Sequence, residues 1–319
     1  MAATIEKLPG KAFLPYEEMT DLLLSEFKAR FSYTPQITNR YGDLIYVESY
    51  PLDAIPYWCR CCMEEPFLLH FDSIGDAANE LKKIQRSWAP YSYTCFRRQS
   101  LLQEKLPYVN LKSKKFPTKI PQGEIGLYTL IDEHTLIASA KTNSLFPAGK
   151  IQFEEDHENP PSRAYLKIQE SLTLARTFFG IDLPDENSRC FEAGACPGGW
   201  TWVLANLGSS VFAVDRAPLA DSLMKNPKIE FLAHDAFTLK PEELGEFDWV
   251  FSDVICYPER LLEWIKTWLE SGKTKKMICT IKMQGEINWP LVEEFSRIPN
   301  SRIVHLNYNK HELTFIHVE

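Results

Sequence analysis

Apolar positions Met19, Leu22, Leu23 and Phe27 recur at helical spacing with charges between them, which predicts an amphipathic helix over residues 16–31. Residues 43–50 carry a short apolar run closed by Pro51 and read as a strand. A second helix is predicted over 74–88, followed by a strand over 91–96. Residues 125–131 and 135–140 flank Asp132-Glu133-His134 and read as a hairpin. This mixture, with few glycines, predicts a small α+β sandwich. The acidic, proline-bearing stretch 154–161 reads as a linker, dividing the chain into residues 1–155 and 156–319.

Beyond the linker the pattern becomes regular. Ser162 follows two prolines and is placed to cap a helix running to Phe179, with Gly180 as its stop. Ile168, Leu172, Ala175 and Phe179 form its buried stripe, and Lys167 falls beside that stripe, early in the helix. Apolar runs and amphipathic segments then alternate. Strands are predicted at 190–191, 211–214, 229–233, 249–251 and 277–281, and helices at 200–207, 257–269 and 289–295. The last two strands, 303–306 and 313–318, have no room for a helix between them and predict an antiparallel hairpin at the sheet edge. The class is α/β, an open, Rossmann-like sheet. In such sheets ligands bind outside the carboxyl ends of the strands, where this chain repeatedly places a polar residue: Asp215, Asp235, Asp253 and Lys282.

The stretch from Phe191 to Trp200 joins the first of these strands to its helix. Gly194, Gly198 and Gly199 permit positive φ and close approach of a ligand to the main chain. Cys196, Pro197 and Trp200 complete the turn, and Asp215 lies about 20 residues on, where an acid holds a ribose hydroxyl pair. The G-x-G-x-x-G spacing is absent, and Pro197 lacks the N–H that a phosphate-cradling loop needs. A nucleoside cofactor without a pyrophosphate fits better, S-adenosylmethionine (SAM) above all. An ordinary glycine-rich turn is the plainer alternative.

Composition is that of a soluble globular protein, 45% hydrophobic and 24% charged, with room for two domains. No apolar run suits a membrane span, and the first residues lack a secretory h-region, so a cytoplasmic protein is expected. Eight cysteines sit largely in apolar runs, as buried thiols would. Cys59-Arg60-Cys61-Cys62 invites zinc, but no second ligand pair completes a site, so no metal is expected. The net charge of −8 argues against nucleic acid when taken alone. Residues 97–119 nevertheless hold seven cations against one acid, Glu104. Phe96, Tyr108 and Phe116 lie among them as base-stacking side chains would, which makes Arg97, Arg98, Lys105, Lys112, Lys114 and Lys115 candidate RNA contacts. A solvated linker or helix face is the alternative.

The run Ala193–Thr201 resembles the SAM-binding turn of the FtsJ-like ribose 2′-O-methyltransferases. From about Pro160 onward the chain is similar to the bacterial ribosomal RNA large-subunit methyltransferase M group. That resemblance implies a Rossmann-like class I SAM-dependent methyltransferase domain with a C-terminal antiparallel hairpin. A smaller α+β domain would precede it, a shortened THUMP-type, ferredoxin-like RNA-binding region. It also implies a catalytic Lys167-Asp253-Lys282-Glu312 tetrad acting on RNA, with ribosomal RNA the expected substrate. Gly194, Cys196, Pro197, Gly198, Gly199, Trp200, Asp215, Asp235 and Asp253 would hold SAM, Asp215 at its ribose and Asp235 at the adenine amino group. Lys282, desolvated among other cations, would be the general base. Two positions depart from the group: Glu192 stands where Asp is usual, and Gln284-Gly285-Glu286 lacks its basic residues. A catalytically silent SAM- or RNA-binding protein on the same fold is the competing expectation.

Overall fold

In the strand Gly126–Leu130, Tyr128 and Leu130 point to one apolar cluster and Leu127 to another, so both faces are covered. That double burial organises the first of two units in the computed structural model, which describes residues 3–319. Unit 1 takes the chain up to Lys114 and again from Ile120 to Gln152; unit 2 comprises Lys115–Lys119 and Phe153–Glu319.

Unit 1 runs β1 (Thr4–Lys7), β2 (Lys11–Pro15), α1 (Thr20–Phe31), β3 (Asn39–Tyr41), β4 (Leu44–Val47), β5 (Cys59–Met63), β6 (Phe67–His70), α2 (Ile74–Ile84), β7 (Trp88–Pro90), α3 (Phe96–Lys105), β8 (Gly126–Leu130) and β9 (Thr135–Ser139). Its strands form a five-stranded sheet, β1-β6-β9-β8-β7, and a four-stranded sheet, β3-β4-β2-β5. Ala12, Leu14, Leu44, Met63, Leu127 and Ile137 pack between the sheets. Leu81 of α2 and Leu102 of α3 cover the outer face of the larger sheet with Leu69, Tyr128 and Leu136. On β2 the intervening Phe13 meets Phe27 of α1 edge-on at 5.1 Å.

The structure corrects several expected elements in this unit. The first helix begins at Thr20, because Glu18 takes a left-handed φ of 62°. The second ends at Ile84. Trp88 instead begins a strand and donates its indole N–H to Leu81 O at 3.0 Å. Residues 91–96 are not a strand. Cys95, at φ 51°, breaks the extended run, and α3 starts at Phe96 so that Gln99 and Leu102 can be buried.

Unit 2 continues with α4 (Tyr165–Phe179), β10 (Arg189–Ala193), α5 (Gly199–Asn206), β11 (Ser210–Asp215), α6 (Asp221–Met224), β12 (Ile229–Ala233), α7 (Pro241–Leu244), β13 (Trp249–Ser252), α8 (Pro258–Ser271), β14 (Lys276–Lys282), α9 (Trp289–Ser296), β15 (Ser301–Val304) and β16 (Glu312–Val318). One seven-stranded sheet results, ordered β12-β11-β10-β13-β14-β16-β15. Strands β10 to β14 pair in parallel, and β16 runs antiparallel to both β14 and β15. Phe191 meets Trp268 of α8 at 5.2 Å, while Trp200 of α5 stands edge-on to Phe251. The sheet is thus covered on both faces, as parallel strands require.

Two expectations shift here. Ser162 does not cap α4: Ala164 occupies that position without a side-chain hydrogen bond, and the Ser162 hydroxyl is buried against the glycine turn. The strand expected at 303–306 forms two residues earlier, and Gly180 closes α4 in the left-handed conformation.

Candidate active site

Strand β10 delivers the chain to Gly194, whose N–H donates to Val214 O at 2.9 Å. Its φ is +79°, and a Cβ there would lie 2.7 Å from Val254 Cγ2 and 2.9 Å from Val254 N. Only glycine lets the β10 and β13 loops approach this closely. Asp215, at the end of β11, then ties the turn down. Its carboxylate accepts the Cys196 N–H at 3.0 Å and the Ala217 N–H at 3.1 Å. A cleft of about 410 Å³ opens over these strand ends, lined among others by Gly194, Cys196, Asp215, Asp235, Asp253 and Lys282.

Pro197, Gly198, Gly199 and Trp200 are not in that lining. A Cβ on Gly198 would meet Leu223 Cδ1 at 2.2 Å, and one on Gly199 would meet Ser162 Oγ at 2.5 Å. These two glycines let the turn pack on its own protein neighbours. Trp200 is buried in the core.

Asp235 is heavily engaged. Oδ1 accepts the Phe237 N–H, and Oδ2 pairs with Arg216 at 2.7 Å and Arg260 at 3.2 Å. Burial works against its ionisation, but the Phe237 amide and the two guanidinium groups outweigh it and hold its carboxyl below the usual range. Neither arginine was flagged by the sequence, since both look like ordinary surface cations.

Lys167, Asp253, Lys282 and Glu312 converge. Lys282 closes β14 and Glu312 opens β16, and the antiparallel register sets them directly opposite one another. Asp253 follows β13 next door, its N–H donating to Ala193 O. The Lys282 ammonium lies 2.9 Å from Asp253 Oδ1 and 4.0 Å from Glu312 Oε2. Its contact with Asp253 is close but lacks hydrogen-bond directionality, so it is an ion pair rather than a directed bond. Lys167, from the first turn of α4, donates to Glu312 Oε1. All four side chains are largely but not wholly buried. Two cations and two anions therefore balance, with Asp253 and Lys282 lining the cleft and Lys167 and Glu312 outside that lining.

One turn along α4, Glu170 is also buried. It accepts the Asn307 N–H at 3.0 Å, the Asn307 side-chain amide at 2.8 Å and the Tyr308 N–H at 3.3 Å. It so fastens the loop between β15 and β16 to the helix that carries Lys167. Burial pushes its carboxyl up to about 7 against those three donors. Glu192 on β10 is pushed up to about 8, again by burial, with the Thr201 hydroxyl donating to it at 2.6 Å.

The expected RNA contacts take different settings. Lys112 and Lys114 line a cavity of unit 1, whereas the Arg98 guanidinium lies 5.7 Å from the Phe71 ring and reaches Asp72 O. Arg97 and Lys105 are exposed on α3, and Lys115 belongs to unit 2. Cys59, Cys61 and Cys62 are buried on β5, their thiols pushed up by that burial. Among the described residues, no three His, Cys, Asp or Glu side chains group as metal ligands would.

Residues 160–287 match the family model of the FtsJ-like methyltransferases. The chain is 36% identical over 146 residues to the ribosomal RNA large subunit methyltransferase M of Aggregatibacter aphrophilus (strain NJ8700), covering 46% of this chain and 40% of that one. To the protein of the same name from Histophilus somni (strain 2336) it is 31% identical over 194 residues, 59% of this chain and 49% of the other. The matches thus span less than half the length of these curated relatives.

Proposed function

We propose, for a chain whose residues 160–287 belong with the FtsJ-like methyltransferases, that it moves a methyl group from SAM to a ribose 2′-hydroxyl of RNA. The carrying observation is the meeting of Lys167, Asp253, Lys282 and Glu312 at the strand ends beside the glycine turn. The named activity of the relatives makes ribosomal RNA the substrate of this reading, with the cytoplasm as the place of action.

The cleft fits the nucleoside. Its volume lies in the range of small-molecule sites. Asp215 spends one lone pair of each oxygen on a backbone N–H and keeps the others for a ribose hydroxyl pair. Asp235 retains fewer free lone pairs, so in this reading Arg216 and Arg260 share the adenine end with it. Bound SAM supplies a sulfonium-activated methyl group.

An alcohol is a poor nucleophile, and its attack requires a proton acceptor and in-line alignment. Lys282 is the group placed to take the proton that the 2′-hydroxyl gives up, and SAM, when bound at this cleft, would supply the methyl group to that oxygen. Asp253 and Glu312 hold the resulting ammonium, and Lys167 fixes Glu312. The test is incubation of the purified chain with methyl-labelled SAM and ribosomal RNA, followed by nucleoside digestion. Label in 2′-O-methylnucleosides is expected; label only on bases, or none, would overturn the reading.

A further inference from the structure

Unit 1 has two adjoining cavities that share Pro90, Ser92, Val109, Leu111 and Lys112 as a common wall. The first, about 610 Å³, is flanked by Phe96 and Tyr108, which are 64% and 78% exposed. So much aromatic surface left to water on one rim marks a contact site. Its wall includes Gln99, only 3% exposed. Gln99 donates its amide to Ser92 at 3.0 Å, and its Oε1 is buried with no hydrogen-bond partner. An orphaned acceptor in a core wall costs stability unless something satisfies it. Gln103 beside it is by contrast fully engaged, with Tyr128 and Trp88.

The second cavity, about 480 Å³, is cationic, with Arg60, Lys112, Lys114 and Lys150 in its lining. Its one acid, Glu17, is already paired to Lys150 at 2.6 Å. Glu104 is the acid of the first cavity. Both volumes are ample for a nucleotide-sized ligand.

We propose that these cavities hold one single-stranded segment of RNA, with a base stacked at Phe96 and Tyr108 and the adjoining phosphates among Arg60, Lys112 and Lys114. Apolar rings for a base beside cations for a phosphate are what single-strand binding requires. Gln99 is the specificity element: its free acceptor takes an exocyclic amino group, which cytidine and adenosine carry and uridine does not. A purely apolar partner would leave Arg60, Lys112 and Lys114 of the neighbouring cavity without a counter-charge. The proposal rests on RNA as the substrate of unit 2, but its test does not need methyl transfer.

The experiment is anisotropy of the full chain with labelled short oligoribonucleotides of cytidine, adenosine or uridine, without SAM. The cytidine and adenosine probes are expected to bind more tightly than the uridine probe. Tyr108→Ala should weaken every probe by roughly tenfold, and Tyr108→Phe should not. Gln99→Leu should bring cytidine and adenosine down to uridine. SAM affinity by calorimetry and the circular dichroism spectrum should both be unchanged in Tyr108→Ala, and together report that unit 2 and unit 1 are folded. Equal binding by wild type and Tyr108→Ala overturns the site, as does capture of an apolar peptide with no oligonucleotide binding. A chain that methylates RNA with the same KM in wild type and Tyr108→Ala loses this site and keeps its catalytic reading. One that binds oligonucleotides through Tyr108 yet transfers no methyl group keeps the site and loses the other.

Discussion

Lys282 and Gly199 show how differently single residues bear on this molecule. An arginine at 282 would keep a cation near Asp253 and Glu312 but cannot give up a proton at any working pH. If Lys282 is the proton acceptor, Lys282→Arg and Lys282→Ala should both lower single-turnover methyl transfer by roughly 10²- to 10⁴-fold. Activity retained by the arginine variant would assign the residue a purely electrostatic part. Gly199 acts through packing. Its added methyl would lie 2.5 Å from Ser162 Oγ and 3.2 Å from Tyr165 N, against the first turn of α4. Gly199→Ala should cost about 1–3 kcal/mol in urea unfolding, the usual range for overpacking. The sequence reveals that glycine is needed at 199 but not why, because the neighbour that forbids a side chain is 37 positions upstream.

Among the elements, α4 carries most of the coupling. Lys167 and Glu170 leave it one turn apart, one toward Glu312 and the other toward the β15–β16 loop. Glu170 and Glu192, pushed up to about 7 and 8 from 4.5, stay protonated in the folded chain where the unfolded chain has lost those protons. The stability they contribute is therefore full below about pH 4.5 and drains away as pH rises through 7 and 8. Urea midpoints should fall across that window. A Glu170→Gln, Glu192→Gln double variant should flatten the fall, a difference on the order of a few kcal/mol. A wild-type midpoint that climbs with pH would contradict this. Glu170 is invisible to pattern reading, since a glutamate in mid-helix looks solvated and its partners lie 137 residues away. The helix itself was legible, because its apolar stripe and Gly180 stop are local signals.

For the whole molecule, net charge misleads. The chain is formally −8, yet the unit 1 cavity gathers Arg60, Lys112, Lys114 and Lys150 around one already paired acid. RNA affinity should therefore fall with salt, with a log–log slope of roughly −2 to −3 if three or four phosphates are met. SAM affinity should change little over the same range, and parallel titrations of both ligands check this. The parallel strands of unit 2 were readable because they are apolar runs, four of the five end at or just before a polar residue, and three are followed by a helical pattern. Unit 1 was readable only in part: its first two helices, β4 and the β8–β9 hairpin were legible, whereas β1, β2, β3, β5, β6 and β7 were not, being only three to five residues long. The basic window was visible as composition, but nothing in its spacing shows that Arg98 turns back to Phe71 while Lys112 and Lys114 face a cavity.

The lane taken by β16 has a consequence for how the molecule comes into being. This strand is translated after β15 but must be laid down between β14 and β15. Until Glu312–Val318 has left the ribosome, the nascent chain has two unsatisfied strand edges and no counter-anion for Lys167. A premature stop before Glu312 would thus leave every cofactor-facing residue in place and still yield a sticky, inert product.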